Sequence, residues 1–195
     1  MAYISVGDLR DYLGIETTET ADDRLLQRAI NAAQRYIEDE TNRTFEASAS
    51  TTRYYQRADL DPWDNTALNL GYDCLTVTAL ANGDTAGTAI TSANYWLLPR
   101  NDGPPYHQIK LYSNTGVYWE FDPDCWVGVT GTWGYSAVPD GLVIEACTEL
   151  AAFAYKKKDS QVFDTTAVPE AGVIVIPAGI PASVQRFIES RKRYI

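Results

Sequence analysis

Val127-Gly128-Val129-Thr130-Gly131-Thr132-Trp133-Gly134-Tyr135, followed by Val138-Pro139-Asp140 and then Val143, Ala146, Cys147, Leu150 and Ala154, is the stretch that decides the fold. In its first half Val127, Val129 and Gly131 alternate with Gly128, Thr130 and Thr132, the two-residue period of a half-buried strand. Beyond Pro139 the apolar residues recur at helical spacing. A proline near the start and Lys156-Lys157-Lys158 at the far end suit a helix that begins near Pro139 to Asp140, the lysines facing either solvent or a phosphate. The chain therefore turns from strand to helix between Gly134 and Pro139.

Upstream, from about Thr44 to Tyr135, short runs rich in Thr, Tyr, Val and Trp are separated by Gly, Pro, Asn and Asp. Candidate strands are Thr51 to Arg57, Leu75 to Leu80, Tyr95 to Leu98, Gln108 to Tyr112 and Trp126 to Trp133. Asn82-Gly83 and Asp122-Pro123-Asp124 mark turns. Two helices precede this region. Ser5 and Asp8 form a capping box for the first, which carries Leu9, Tyr12 and Leu13 and ends at Gly14. The second spans about Ala21 to Thr41, capped by Thr20, with Leu25, Leu26, Ala29, Ile30, Ala33, Tyr36 and Ile37 as its apolar stripe. Glu38, Asp39 and Glu40 oppose the dipole at its end, so they serve either a solvated face or a basic partner. After the third helix, Val173 to Ile176 is either a strand or an extended arm, and Pro181 opens a final helix.

The predicted class is thus α+β: a helical bundle formed by the N- and C-terminal segments, with an inserted β-rich subdomain. Its parts are residues 1–45 (bundle helices), 46–137 (β-rich insertion), 138–158 (third helix), 159–180 (extended arm) and 181–195 (last helix). A chain of 195 residues with 45% hydrophobic and 22% charged side chains has room for one sizeable domain with such an insertion. Sixteen basic against 26 acidic residues give a net charge of −10, which argues against a broad phosphate-binding face. No apolar run reaches the roughly 20 residues of a membrane helix. The opening Met-Ala-Tyr-Ile-Ser has no signal-peptide character, so synthesis in the cytoplasm is expected.

Few residues offer chemistry. His107 is the sole histidine, and without a nucleophile elbow or a Cys-His pairing it is given no catalytic role. Cys74, Cys125 and Cys147 are scattered singly, so neither a zinc site nor a disulfide framework is expected, and reduced buried thiols are. Asp59, Asp61 and Asp64 alternate as in a calcium loop, but the central Gly and terminal Glu are missing. Neither a P-loop nor GxGxxG occurs, so no cofactor, metal or enzymatic activity is expected. Five Trp and 13 Tyr fall mostly inside the β-rich region. They suit a core or subunit interface, or else a carbohydrate-binding platform in which Trp96, Trp119 and Trp133 are exposed.

Four segments in order resemble the head-to-tail connector (adaptor) family of tailed bacteriophages and gene transfer agents. Ile4-Ser5-Val6-Gly7-Asp8-Leu9-Arg10-Asp11-Tyr12-Leu13-Gly14-Ile15, with Asp22-Asp23-Arg24-Leu25-Leu26 and Ala32-Ala33-Gln34-Arg35-Tyr36-Ile37, is similar to the family's first two helices. Thr41-Asn42-Arg43-Thr44-Phe45 resembles its helix-ending phrase. Val127 to Tyr135 with Val138-Pro139 and Ala146 is similar to its strand-to-helix junction, and Gly179-Ile180-Pro181-Ala182-Ser183-Val184-Gln185-Arg186 to its C-terminal element. The β-rich insertion exceeds that of the smallest members.

The resemblance implies an architectural protein of the virion neck. Its partners would be the portal protein, other copies of itself in a ring of about 12, and a stopper or tail-terminator component, with DNA passing through without specific binding. In the final helix Val184, Phe187, Ile188, Arg191 and Tyr194 share one face. A helix of about 14 residues is marginal alone, so that face docks either on its own domain or on another protein. With the resemblance, these five residues are the expected portal contacts.

Overall fold

The computed structural model describes residues 2–16, 18–83, 87–121, 126–157, 166–168, 172–174 and 179–193. The chain divides into two compact units, Met1–Asn42 with Pro139–Tyr194, and Arg43–Val138. The first carries the helices and the second a large antiparallel sheet, so the α+β class holds.

In the helical unit, α1 (Val6–Leu13) starts with the expected capping box: the Asp8 N–H donates to Ser5 Oγ at 3.1 Å and the Ser5 N–H to Asp8 Oδ2 at 2.8 Å. Leu9 is buried, whereas Tyr12 lies exposed. Helix α2 (Asp23–Thr41) is capped from Asp22 rather than Thr20: the Asp22 carbonyl accepts from the Leu25 and Leu26 N–H groups, while its carboxylate accepts from the Tyr155 hydroxyl. The buried face of α2 is Leu26, Ala29, Ile30, Ala33, Ile37 and Thr41. Leu25 and Tyr36, expected in the stripe, are 37% and 39% exposed. Successive helical residues differ by roughly 100°, so a face centred on Leu26 and Ile37 turns Leu25 and Tyr36 to its edge.

Helix α3 (Gly141–Lys157) begins where Asp140 Oδ1 accepts from the Val143 N–H at 2.9 Å. It buries Val143, Ala146, Cys147, Thr148, Leu150, Ala151 and Ala152, covering more than one stripe, as a central helix must. Helices α1, α2 and α4 (Ala182–Arg191) all pack on it. Ala154, expected inside, is exposed. Lys156 and Lys157 end the helix in solvent; Lys158 lies outside the described residues. Of the expected arm, β8 (Thr166–Val168) pairs antiparallel with β9 (Gly172–Ile174), and most of the remainder falls outside the described residues.

The sheet unit contains β1 (Thr51–Tyr55), β2 (Leu60–Asp61), β3 (Asp64–Asn82), β4 (Thr88–Ala89), β5 (Tyr95–Leu98), β6 (Tyr106–Leu111) and β7 (Val127–Trp133). The main order is β1-β7-β3-β6-β5, with β2 and β4 folded back on β3 as hairpins. Strand β3 is far longer than the expected Leu75 to Leu80. Asn69, Gly71 and Asp73 disguise it, because they are poor strand formers. Gly71 adopts φ +62° where the register with β6 shifts, between Asn69 opposite Gln108 and Cys74 opposite Tyr106, and pairing with β7 begins at Cys74. Asn82-Gly83 opens the β3–β4 connection as expected, while the Asp122 to Asp124 turn lies outside the described residues.

One sheet face builds the core: Tyr55, Leu68, Leu70, Cys74, Leu80, Ile109, Val127, Val129 and Trp133 are buried together. The other carries threonines, with hydroxyl contacts of 2.7 Å between Thr52 and Thr130 and between Thr76 and Thr132. The chain enters and leaves this unit along two paired segments. The Tyr135 N–H donates to Thr44 O and the Ser48 N–H to Trp133 O, each at 2.7 Å, and Ser136 Oγ donates to Phe45 O at 3.0 Å. Phe45 is wholly buried and meets Tyr135 edge to face at 5.4 Å.

Gly131 lets β7 approach β3: a methyl carbon added there would lie 1.9 Å from the Thr76 carbonyl oxygen. Gly131→Ala is expected to lower the unfolding free energy by about 1–3 kcal/mol, as overpacking does, read as a lower urea midpoint. An unchanged midpoint would contradict the close approach.

Candidate functional site

The C-terminal segment was expected to expose an apolar stripe. In the structure Val184 and Ile188 are buried, because α4 packs on α2 and α3. Phe187 is half-buried, and Arg191 Nη2 lies 3.4 Å from Asp140 Oδ2. Tyr194 lies outside the described residues. Of the two docking partners left open by the sequence, the chain's own helical unit therefore takes Val184 and Ile188. Gln185, Arg186, Glu189 and Ser190 form the outward side of α4.

Residues after α4 are fixed at the end of α2. The Arg193 N–H donates to Thr41 O at 2.9 Å, and Asn42 Nδ2 donates to Arg193 O at 3.3 Å. Asn42 ends α2 in the left-handed region at φ +53°. Lys192 Nζ stands 3.7 Å from Glu40 Oε2, and Glu38 accepts from Tyr3 OH at 2.6 Å and Gln34 Nε2 at 3.0 Å. Of the three acids that oppose the α2 dipole, Glu38 and Glu40 thus have partners, that of Glu40 in the basic C-terminal segment of the same chain.

In the sheet unit Phe45, Tyr55 and Trp133 are buried, and most of the other aromatics are partly covered. Trp133 is buried and donates Nε1–H to Thr51 O at 3.1 Å; Trp119 is half-buried and donates to Thr66 O at 3.0 Å. Trp96 is half-buried beside Tyr112, with the Arg100 guanidinium 4.7 Å above its ring. None of the three presents the open face that a carbohydrate platform requires. Trp126 is 39% exposed, and the tryptophan most open to solvent is Trp63, at 95% exposure on the tip between β2 and β3. Sequence reasoning passed over it while testing Asp59, Asp61 and Asp64 as calcium ligands. The available signal was an aromatic placed between Pro62 and Asp64, where a turn leaves no core to enter.

His107 Nδ1 lies 3.3 Å from Asp73 Oδ1. The buried Asp73 carboxylate also accepts from Arg43 Nη1 at 3.0 and 3.1 Å, and the Arg43 guanidinium rests 4.7 Å from the Tyr135 ring centre. The cluster ties the entering segment to β3 and β6; no nucleophilic side chain is among these contacts. Burial pushes the Cys74 thiol up to about 11 and the Cys147 thiol up to about 12, which keeps both protonated and inert near neutrality. Cys125 lies outside the described residues.

The calcium-loop candidates are held by protein donors. Asp59 accepts from the Gln56 N–H at 2.7 Å and Asp61 from the Trp63 N–H at 2.9 Å. Lys110, 2.6 Å from Asp64, together with Thr66 lowers the Asp64 carboxyl to about 2. Among the described residues no three His, Cys, Asp or Glu side chains are grouped to hold a metal, and no helix is long and apolar enough to cross a membrane.

The family comparison covers α1, α2 and the segment that runs from them into the sheet unit. Residues 3–62 match the phage gp6-like head-tail connector protein family. That is the family the opening helices and the Thr41 to Phe45 phrase resemble. Among curated proteins, no sequence matches this chain.

Solved structures extend the likeness in fold to nearly the whole chain. A chain from the neck of an empty gene transfer agent particle, computed with C6 symmetry, superposes with a TM-score of 0.61 at 21% identity, covering 99% of this chain and 91% of that one. A chain from the virion of a native gene transfer agent particle gives 0.60 at 20% identity, covering 99% and 91%. A chain from the neck of a native particle, computed with C12 symmetry, gives 0.57 at 21% identity, covering 97% and 89%.

The burial of α4 has a direct consequence for stability. Ile188→Ala in the chain alone, without any partner, is expected to cost about 2–5 kcal/mol of unfolding free energy, measured by denaturant titration. A wild-type value would mean that the helix does not bury this side chain.

Proposed function

We propose that the chain is a structural neck protein: a ring adaptor of about 12 copies that docks on the portal, extends the DNA channel and joins the head to the tail or the next neck component. The observation that carries this reading is the coincidence of the connector-family match over residues 3–62 with a fold likeness spanning 97% of the chain to a protein of a C12 neck. Such a task needs no reaction. It is performed in the neck of the virion after synthesis in the host cytoplasm.

The charge distribution supports the assignment. A net charge of −10 per copy gives the ring an acidic field, along which DNA slides instead of adhering. Against that background Arg186, Arg191, Lys192 and Arg193 with Glu189 make the C-terminal segment locally positive, which suits an acidic portal surface. Val184 and Ile188 act by fixing the helix on its own unit, so the outward Arg186 side and the residues beyond Arg191, Tyr194 among them, make the docking contacts. Ring closure multiplies a modest contact per copy into a durable attachment, because each later contact forms at high effective concentration.

Co-purification with the portal ring of the same particle tests this. The wild-type chain is expected to be recovered on the portal, and the variant Arg186→Glu, at an exposed position of α4, to be recovered at least ~10-fold less while keeping its thermal midpoint, since surface substitutions away from packed contacts change stability little. A folded wild-type chain that ignores the portal would overturn the proposal.

A further inference from the structure

The sheet unit carries a knob and the helical unit a groove, and nothing in the described chain fills the one or covers the other. The knob is Trp63, whose ring is almost entirely in solvent although Trp is among the costliest side chains to leave exposed. Its backbone is held: the Trp63 N–H donates to Asp61 Oδ1, and Asp64 is pinned by Lys110 and Thr66. A rigid, exposed aromatic at a hairpin tip is the form that interface anchors take.

The groove, of about 420 Å³, lies between α2 and α3 and is lined by Leu25, Arg28, Ala29, Ala32, Ala154 and Tyr155. Three alanines leave room for a ring, and Leu25 offers it an apolar wall. The Leu25 and Ala154 side chains, which the periodicity placed in the core, are part of this second, uncovered surface.

Charge selects the occupant. Asp59 and Asp61 make the knob's surroundings acidic. The groove's rim is net basic: Arg24 and Arg28 are exposed one turn apart on α2, Arg35 follows on the same side and Lys156 is exposed in the last turn of α3, against the Asp22 carboxylate on the Tyr155 hydroxyl. Such a basic surface is unusual in a chain of net charge −10, and the matching acid lies on this same chain. We infer that in the ring Trp63 of one copy seats in the α2–α3 groove of its neighbour, with Asp61 facing Arg28. The contact is heterologous, knob on one side and groove on the other, which is what propagates around a closed ring. It rests on the ring reading and names the surface that closes it.

The test measures ring formation on the portal as a function of chain concentration. Trp63→Ala is expected to raise the concentration for half-assembly at least ~30-fold, as loss of an interface anchor does, with an unchanged thermal midpoint because the side chain is exposed. Arg28→Asp is expected to impair assembly, and Arg28→Lys, which keeps the charge beside the groove, to retain it. Rings formed equally well by wild type and Trp63→Ala, or by wild type and Arg28→Asp, would overturn this contact and leave the ring standing. A wild-type chain that binds the portal yet never closes a ring would overturn the ring reading and this contact with it.

Discussion

The β-rich unit depends on the pairing of its first and last segments. Thr44 to Ser48 and Trp133 to Ala137 lie side by side, joined by backbone hydrogen bonds and closed by Phe45 against Tyr135. An insertion of some ninety residues between two helices is tolerated only if its ends come together, and loop-closure entropy opposes that meeting unless contacts repay it. Buried Asp73 adds a charged tie, taking Arg43 from the entering segment and His107 from β6 on one carboxylate. Breaking one partner of such a buried group costs more than the pair contributes net, so the clasp is stringent about its residues. The sole histidine is thereby accounted for by architecture.

Much of the fold was legible because local chemistry and tertiary need agree. Ser5 with Asp8, the Leu26 to Ile37 stripe and the alternation from Val127 to Thr132 each follow from a single period or cap. Two of the four phrases that carried the family resemblance, Thr41 to Phe45 and Val127 to Tyr135, meet in the clasp through Thr44 and Phe45 on one side and Trp133 and Tyr135 on the other. The long β3 strand was hidden because Gly71 is a bulge residue, and a bulge reads in sequence as an end. Leu25, Tyr36 and Ala154 were placed inside because helical periodicity finds apolar residues without telling which of two apolar surfaces the chain itself covers. Sequence alone also could not choose between the two homes of the last helix. The answer depends on whether α3 leaves a vacant side, and α3 does.

The buried C-terminal helix changes how the docking surface is understood. Val184 and Ile188 are spent on the chain's own helical unit, and their packing sets which side of α4 carries Arg186 outward, the side proposed to dock. In the sheet unit Trp133 and Trp119 are spent on packing with their indole N–H groups satisfied, whereas Trp63 stands in solvent, which is why it is the side chain proposed as the contact between copies.

The central claim is that the chain closes a ring on the portal. Native mass measurement of the assembled portal complex, combined with rotational averaging of its images, tests this most directly. A complex holding about 12 copies in a closed ring coaxial with the portal is the result predicted. A portal that binds one or two copies without closure, or a chain that stays monomeric beside an intact portal, would contradict it.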